Sequence, residues 1–218
     1  MNKKFYLAKF GLCACVAICA FALNSCYPNS DAEIEDLDVV ASFPKKDYNF
    51  TENNTYTLPT RIPIVDDDIP LPGDTLPAAV ANPILEKIRA NMTAKGYTEI
   101  KPGSPTVPDV ALTSYVIQTT YTGAYYPYWW YYWGYYPWGS WGYPWGPGWY
   151  PGGAYYYSFD VGSLIISMSS PDSRQDNQIN TVWISAIRGV LNGTTSNVQR
   201  ATAGVDQAFA QSVYLKTN

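Results

Sequence analysis

The sequence predicts an α+β fold, with an antiparallel or mixed sheet of about five strands, two helices on one face and a Tyr/Trp/Gly/Pro-rich insert. Three observations predict it. Two segments, 82–95 and 197–214, place apolar residues at helical spacing. Short apolar or alternating runs at 38–43, 55–58, 110–120, 154–168 and 181–187 read as strands. Their order is β-β-α-β, insert, β-β-α, with no regular βαβ alternation that would build a purely parallel sheet.

The elements can be justified in chain order. Lys3, Lys4 and Lys9 form a basic start, and 10–23 is an apolar run too short to span a bilayer comfortably. It ends in Leu23-Asn24-Ser25-Cys26. A thiol that can carry diacylglycerol, preceded by a small residue that a peptidase can pass, is the order read by bacterial lipoprotein processing. Residues 1–25 are therefore expected to be a lipoprotein signal peptide, with Cys26 the lipidated residue. Cys13, Cys15 and Cys19 fall in the removed part, so the mature chain would have no free thiol and no disulfide. Each buried acyl methylene contributes about 0.8 kcal/mol, so two or three chains anchor stably where one does not. The expected location is the outer membrane, with periplasmic or surface facing left open.

Residues 26–37 carry Asp31, Glu33, Glu35 and Asp36 and no base. They read as a solvated tether with a reach of roughly 35–40 Å. Losing Lys3, Lys4 and Lys9 takes the 14 basic residues to 11 against 18 acidic ones, a net charge of −7. That balance argues against nucleic acid as a partner and against electrostatic attachment to anionic lipid.

A single domain is expected over 38–218. After the first two strands, 59–80 reads as loop, because Pro59, Pro63, Pro70, Pro72 and Pro77 exclude regular structure. Asp66-Asp67-Asp68 within it lacks the alternating acids and the glycine of a calcium loop, and reads as a solvated turn. In the first helix Asn82 is the expected N-cap, Pro83 sits in the first turn and Gly96 ends it. Ile84, Leu85, Ile88 and Met92 make its apolar stripe. The strand over 110–120 has Ala111, Tyr115 and Ile117 on one side and Val110, Leu112 and Val116 on the other, which predicts a central strand. Gly162 is a candidate bulge in the strand over 154–168. The last helix is expected to bury Val198, Ala201, Val205, Ala208, Phe209 and Val213.

The insert, 121–157, holds twenty Tyr and Trp, and no charge occurs between Asp109 and Asp160. A membrane-spanning helix is excluded by Pro127, Pro137, Pro144, Pro147 and Pro151, which would leave backbone groups unsatisfied in lipid. Complete burial is excluded by area: twenty rings at 150–250 Å² each present roughly 3,000–5,000 Å². Part of the insert is expected to pack on the sheet, with 125–133 and 155–157 extending neighbouring strands into a long hairpin. The remainder packs on itself or meets an outside surface. Tyr and Trp suit the headgroup level of a bilayer, and equally an envelope protein partner. The expected contact residues are Trp129, Trp130, Trp133, Trp138, Trp141, Trp145 and Trp149. Glycan stacking is the alternative, but the insert lacks the acids and amides that bond sugar hydroxyls.

The chain contains no His, which removes imidazole base catalysis and His metal ligation. No phosphate loop or nucleophile elbow occurs. Asp160, Asp172 and Asp176 read as solvated loop acids rather than a carboxylate cluster. A non-catalytic protein without cofactor or metal is expected.

Five pieces carry a family resemblance. They are Tyr48-Asn49-Phe50 with Tyr56-Thr57-Leu58-Pro59; Ile88 through Lys95-Gly96-Tyr97; Pro108-Asp109-Val110; Gly162-Ser163-Leu164-Ile165-Ile166-Ser167-Met168 with Val182-Trp183-Ile184; and Val205-Asp206-Gln207-Ala208-Phe209-Ala210-Gln211-Ser212 followed by Tyr214-Leu215. Together, over roughly 38–217, the chain resembles the Bacteroidetes lipoprotein family called domain of unknown function 4136. A common form of that family has Arg-Gly after the Trp, where this chain has Ile184-Ser185. The resemblance implies an envelope lipoprotein and no particular activity.

Overall fold

The computed structural model describes residues 39–65, 75–101, 104–117, 121–125, 150–152, 155–159, 162–170, 178–191 and 196–217. They belong to one compact unit, Asp38–Asn218. Its strands are β1 (Val40–Pro44), β2 (Thr55–Thr57), β3 (Ile64–Val65), β4 (Thr98–Glu99), β5 (Val110–Ile117), β6 (Tyr121–Tyr125), β7 (Tyr150–Gly152), β8 (Tyr155–Phe159), β9 (Ser163–Ser169) and β10 (Gln178–Ile187). Its helices are α1 (Ala78–Ala94) and α2 (Ser196–Gln211).

The main sheet is mixed. Its order is β1-β10-β9-β5-β2-β4, with β3 added beside β5 and β7 beside β10. The long strands β1, β10, β9 and β5 pair antiparallel, while the short β2, β3, β4 and β7 join in parallel. β6 and β8 form a separate two-stranded antiparallel ribbon. The α+β class with two helices therefore holds, and the sheet is larger than five strands.

Both helices pack on one face of this sheet. Ile84, Leu85, Ile88 and Met92 of α1 and Ala201, Val205, Ala208 and Phe209 of α2 form one core with Val110, Leu112, Val116, Leu164, Ile166, Met168, Trp183 and Ile187. Trp183 is its largest fully buried side chain. The indole lies 5.3 Å from the Phe209 ring centroid, tilted 49°, and its Nε1 donates to Ser212 Oγ at 3.0 Å. α2 seats closely on β10 because Gly204 faces it: a Cβ there would stand 2.4 Å from Ile187 Cγ2.

Strand β5 is buried at every position, as a central strand should be. Its second face and those of β9 and β10 form a smaller apolar cluster, Val65, Tyr115, Ile117, Ile165, Ile184 and Ala186, facing away from the helices. Thr113 and Ser167 sit opposite each other there, with their hydroxyl oxygens 2.7 Å apart.

Four local expectations are corrected. α1 begins at Ala78 after Pro77, so Asn82 is not its cap and Pro83 lies inside the helix. Pro83 removes only the bond to the Ala79 carbonyl, and Ala79 is exposed to water. The strand over 154–168 is two strands, separated by a turn at Gly162 with φ +80°. The loop over 59–80 contains β3 and the first residues of α1. α2 stops at Gln211, which leaves Val213 71 % exposed while the chain turns to bury Leu215. At the end of α1, Gly96 has φ +93°, the left-handed stop expected there.

Candidate functional site

Cys26 and the seven insert tryptophans, Trp129, Trp130, Trp133, Trp138, Trp141, Trp145 and Trp149, lie outside the described residues. So do Asp66, Asp67, Asp68, Asp160, Asp172 and Asp176. What the structure does describe is how the insert joins the domain. Tyr121–Tyr125 starts four residues after β5 ends at Ile117, and Tyr155–Phe159 ends four residues before β9 begins at Ser163. The two pair in register, Tyr121 opposite Phe159 and Tyr125 opposite Tyr155. Tyr150–Gly152 then pairs in parallel with Gln178–Asn180 at the start of β10. Segments 125–133 and 155–157 were expected to extend the neighbouring strands into a long hairpin. Tyr155–Tyr157 does pair antiparallel with Gly123–Tyr125, in the register that β5 and β9 share, as a two-stranded ribbon, and 126–133 lies outside the described residues.

Among the described residues no group of three or more His, Cys, Asp or Glu could hold a metal ion. Among the same residues no helix is long and apolar enough to cross a membrane. The acid that does most in the described part is Asp109. Its Oδ2 accepts from Asn54 N (2.8 Å), Thr55 N (2.8 Å) and Thr55 Oγ1 (2.9 Å), while its own amide donates back to Thr55 Oγ1 (2.9 Å). The carboxylate thereby fixes the start of β2 against the start of β5. Sequence reasoning gave it no role beyond a family motif. The signal was its place: it is the last charge before a long uncharged stretch, immediately ahead of a buried strand.

Glu99 is held by Arg89 Nε at 3.1 Å and by Lys101 Nζ. Burial, then the Glu99 carboxylate, pushes the Tyr56 phenol up to about 12, and Arg89 opposes this. Burial also raises Tyr97, with Tyr48 and Asp109 adding to it, and the Tyr97 hydroxyl donates to the Phe50 carbonyl at 3.3 Å. Phenols with raised pKa are protonated at neutral pH and serve packing rather than proton abstraction. Their stabilisation is complete below the ordinary tyrosine value of 10.0 and is lost as pH rises toward the folded-state values. Urea midpoints should therefore fall from about pH 10 upward, and Tyr97→Phe should flatten that fall. An unchanged slope in Tyr97→Phe would contradict the assignment.

Comparison with known proteins bears on this arrangement. A crystal structure of a DUF4136 family protein from Bacteroides thetaiotaomicron VPI-5482 aligns with a TM-score of 0.61 and 28% identity, over 82% of this chain and 97% of that one. A PelC variant dodecamer from Paraburkholderia phytofirmans aligns at a TM-score of 0.39 and 9% identity, over 83% of this chain and 99% of that one. No curated protein matches. The family model described as Domain of unknown function (DUF4136) matches residues 39–212, which takes in every strand and helix described above. The chain belongs to the DUF4136 family.

Proposed function

We propose that the protein is a non-catalytic lipoprotein of the outer membrane, anchored through acylated Cys26, whose aromatic insert contacts the membrane interface. An envelope protein as the surface contacted is the other outcome of the test. One observation carries the reading: the chain joins an uncharged stretch with twenty Tyr and Trp to Leu23-Asn24-Ser25-Cys26 after a basic start and an apolar run. Monomers rarely expose apolar patches above several hundred Å², so rings left outside the core need a surface to meet. Tyr and Trp carry an apolar body and a polar tip, which fits the headgroup level. Geometry supports the same reading. Residues 26–38 reach roughly 45 Å when extended. The ten residues of β10 span roughly 33 Å. The tether is thus long enough for either end of the sheet to meet the bilayer.

Cys26→Ala should abolish acylation, read as the loss of lipid mass on the mature N-terminus, and leave the aromatic insert as the remaining membrane contact. A Cys26→Ala protein that still carries acyl chains contradicts the anchor. The glycan alternative predicts sugar-competed binding that disappears with Trp129→Ala, Trp130→Ala, Trp138→Ala and Trp141→Ala. The membrane reading predicts no competition by sugar.

A further inference from the structure

The second face of the sheet is closed by something other than the helices. Ala111, Thr113, Tyr115 and Ile117 of β5, Ile165, Ser167 and Ser169 of β9, and Ile184 and Ala186 of β10 are each at most 5 % exposed. They point away from the core that holds α1 and α2. On the same face of edge strand β1, Phe43 is 36 % exposed.

Strand pairing identifies the cover. The insert leaves and rejoins the sheet at one end, beside Ile117 and Ser163, which pair directly. Ile187 of β10 stands at that same end, opposite Leu164. Yet Tyr150–Gly152 is bonded to Gln178–Asn180, at the opposite end of β10. Between Asn180 and Ile187 the sheet is about 23 Å long. The chain from Gly152 to Ser163, which includes β8, extends to about 36 Å at most. It must therefore run back along the sheet, with a surplus close to the roughly 10 Å step between packed sheets. In-plane routes are closed: β9 lies between β10 and β5, β10 is flanked by β1, and β5 is flanked by β2 and β3. The helices take one face. The other face is left.

We propose that the chain's own β6–β8 ribbon docks across the second face of the sheet as a third layer, so that the base of the aromatic insert is part of the fold. The face suits such an occupant. Tyr115, Ile117, Ile165 and Ile184 make it apolar, with the small Ala111, Ser169 and Ala186 between them, and the Thr113 and Ser167 hydroxyls bond to each other. The segment between Tyr125 and Tyr150 is then the part of the insert that lies beyond this layer. Its roots stand at the Gln178 end of the sheet, whereas the chain enters from the tether at Val40, opposite Ile187. This inference is independent of the membrane reading, and fails or stands without it.

Residues 38–218 contain no cysteine, so a single Ser167→Cys thiol reports on this face alone. Three versions of that domain are compared for reaction with iodoacetamide: intact, with 127–148 replaced by a short Gly-Ser linker, and with 121–159 replaced by the same linker. The expected result is slow labelling of the first two and labelling at least 100-fold faster in the third. Equal protection in all three would overturn the proposal, as would loss of protection when only 127–148 is replaced. A second measurement covers failure of the largest deletion to fold. In the intact domain, Ser167→Cys should be joined by a bismaleimide of about 10 Å span to Tyr156→Cys or to Tyr157→Cys, whichever faces the sheet. Joining of neither, or equal joining of both to Glu86→Cys on α1, overturns it.

Discussion

Trp183→Ala is expected to destabilise the domain by about 4 kcal/mol, within the 3–5 kcal/mol of large aromatic truncations in cores. The indole is fully buried between β10 and α2, and two costs combine when it is cut away. The first is a cavity lined by Phe209 and the sheet, in a place where β10 is fixed on both sides by β1 and β9. The second is loss of the bond from Nε1 to Ser212 Oγ, although Ser212 keeps the Tyr214 hydroxyl at 3.2 Å. Trp183→Phe separates the two, since it keeps most of the ring and removes the donor. It should cost about 1–2 kcal/mol. Since a domain of this size holds only about 5–15 kcal/mol, Trp183→Ala should remove a large share of the stability while leaving the domain mostly folded. Urea unfolding of both variants measures this, and a loss below about 1 kcal/mol for Trp183→Ala would contradict the packing described.

Asp109→Ala is expected to cost about 3 kcal/mol by a different route. It leaves the Asn54 and Thr55 amides and the Thr55 hydroxyl without their shared acceptor. Hydrogen bonds to a charged group contribute about 1.5–3 kcal/mol each, discounted here because Asn54 lies near water. Asp109→Asn keeps one carbonyl acceptor and should lose about half as much. The local signature is faster amide exchange at Asn54 and Thr55, with the α2 side of the core unchanged. Uniform acceleration across both helices would instead mean that Asp109 acts on the whole fold.

The helices and central strands were legible in the sequence because each carries a periodic apolar pattern long enough to read. Ile84, Leu85, Ile88 and Met92 fall on one helical face, and Val110, Leu112 and Val116 on one strand face. The failures have local physical causes. Asn82-Pro83 has the form of a helix start, yet an extra turn precedes it because Pro77 already begins the helix. β3 and β4 have two residues each, too few to show alternation, and exist because β5 and β2 offer them edges. Val213 fits the helical stripe, but the helix ends at Gln211 so that Leu215 can enter the core. Gln178–Asn180 extends β10 beyond its apolar part only because Tyr150–Gly152 pairs with it, a contact between distant segments that no local pattern encodes.

The candidate site was legible as composition and not as geometry. The density of Tyr and Trp and the prolines excluded a spanning helix and a complete core. They did not foretell that β7 reaches the far end of β10. That contact changes how the insert is to be tested. A deletion through Pro151 would remove part of a sheet strand as well as the aromatic segment, so the informative replacement ends at 148.

The most direct test of the account is flotation of residues 38–218, without the anchor, on vesicles of phosphatidylethanolamine and phosphatidylglycerol, intact and with 127–148 replaced by a Gly-Ser linker. The account predicts that the intact domain floats with the vesicles at both low and high salt, since rings rather than charges make the contact. The replaced domain, with an unchanged urea midpoint, should stay in the dense fraction. Equal flotation of the two, or flotation of neither, would contradict membrane contact by the aromatic insert.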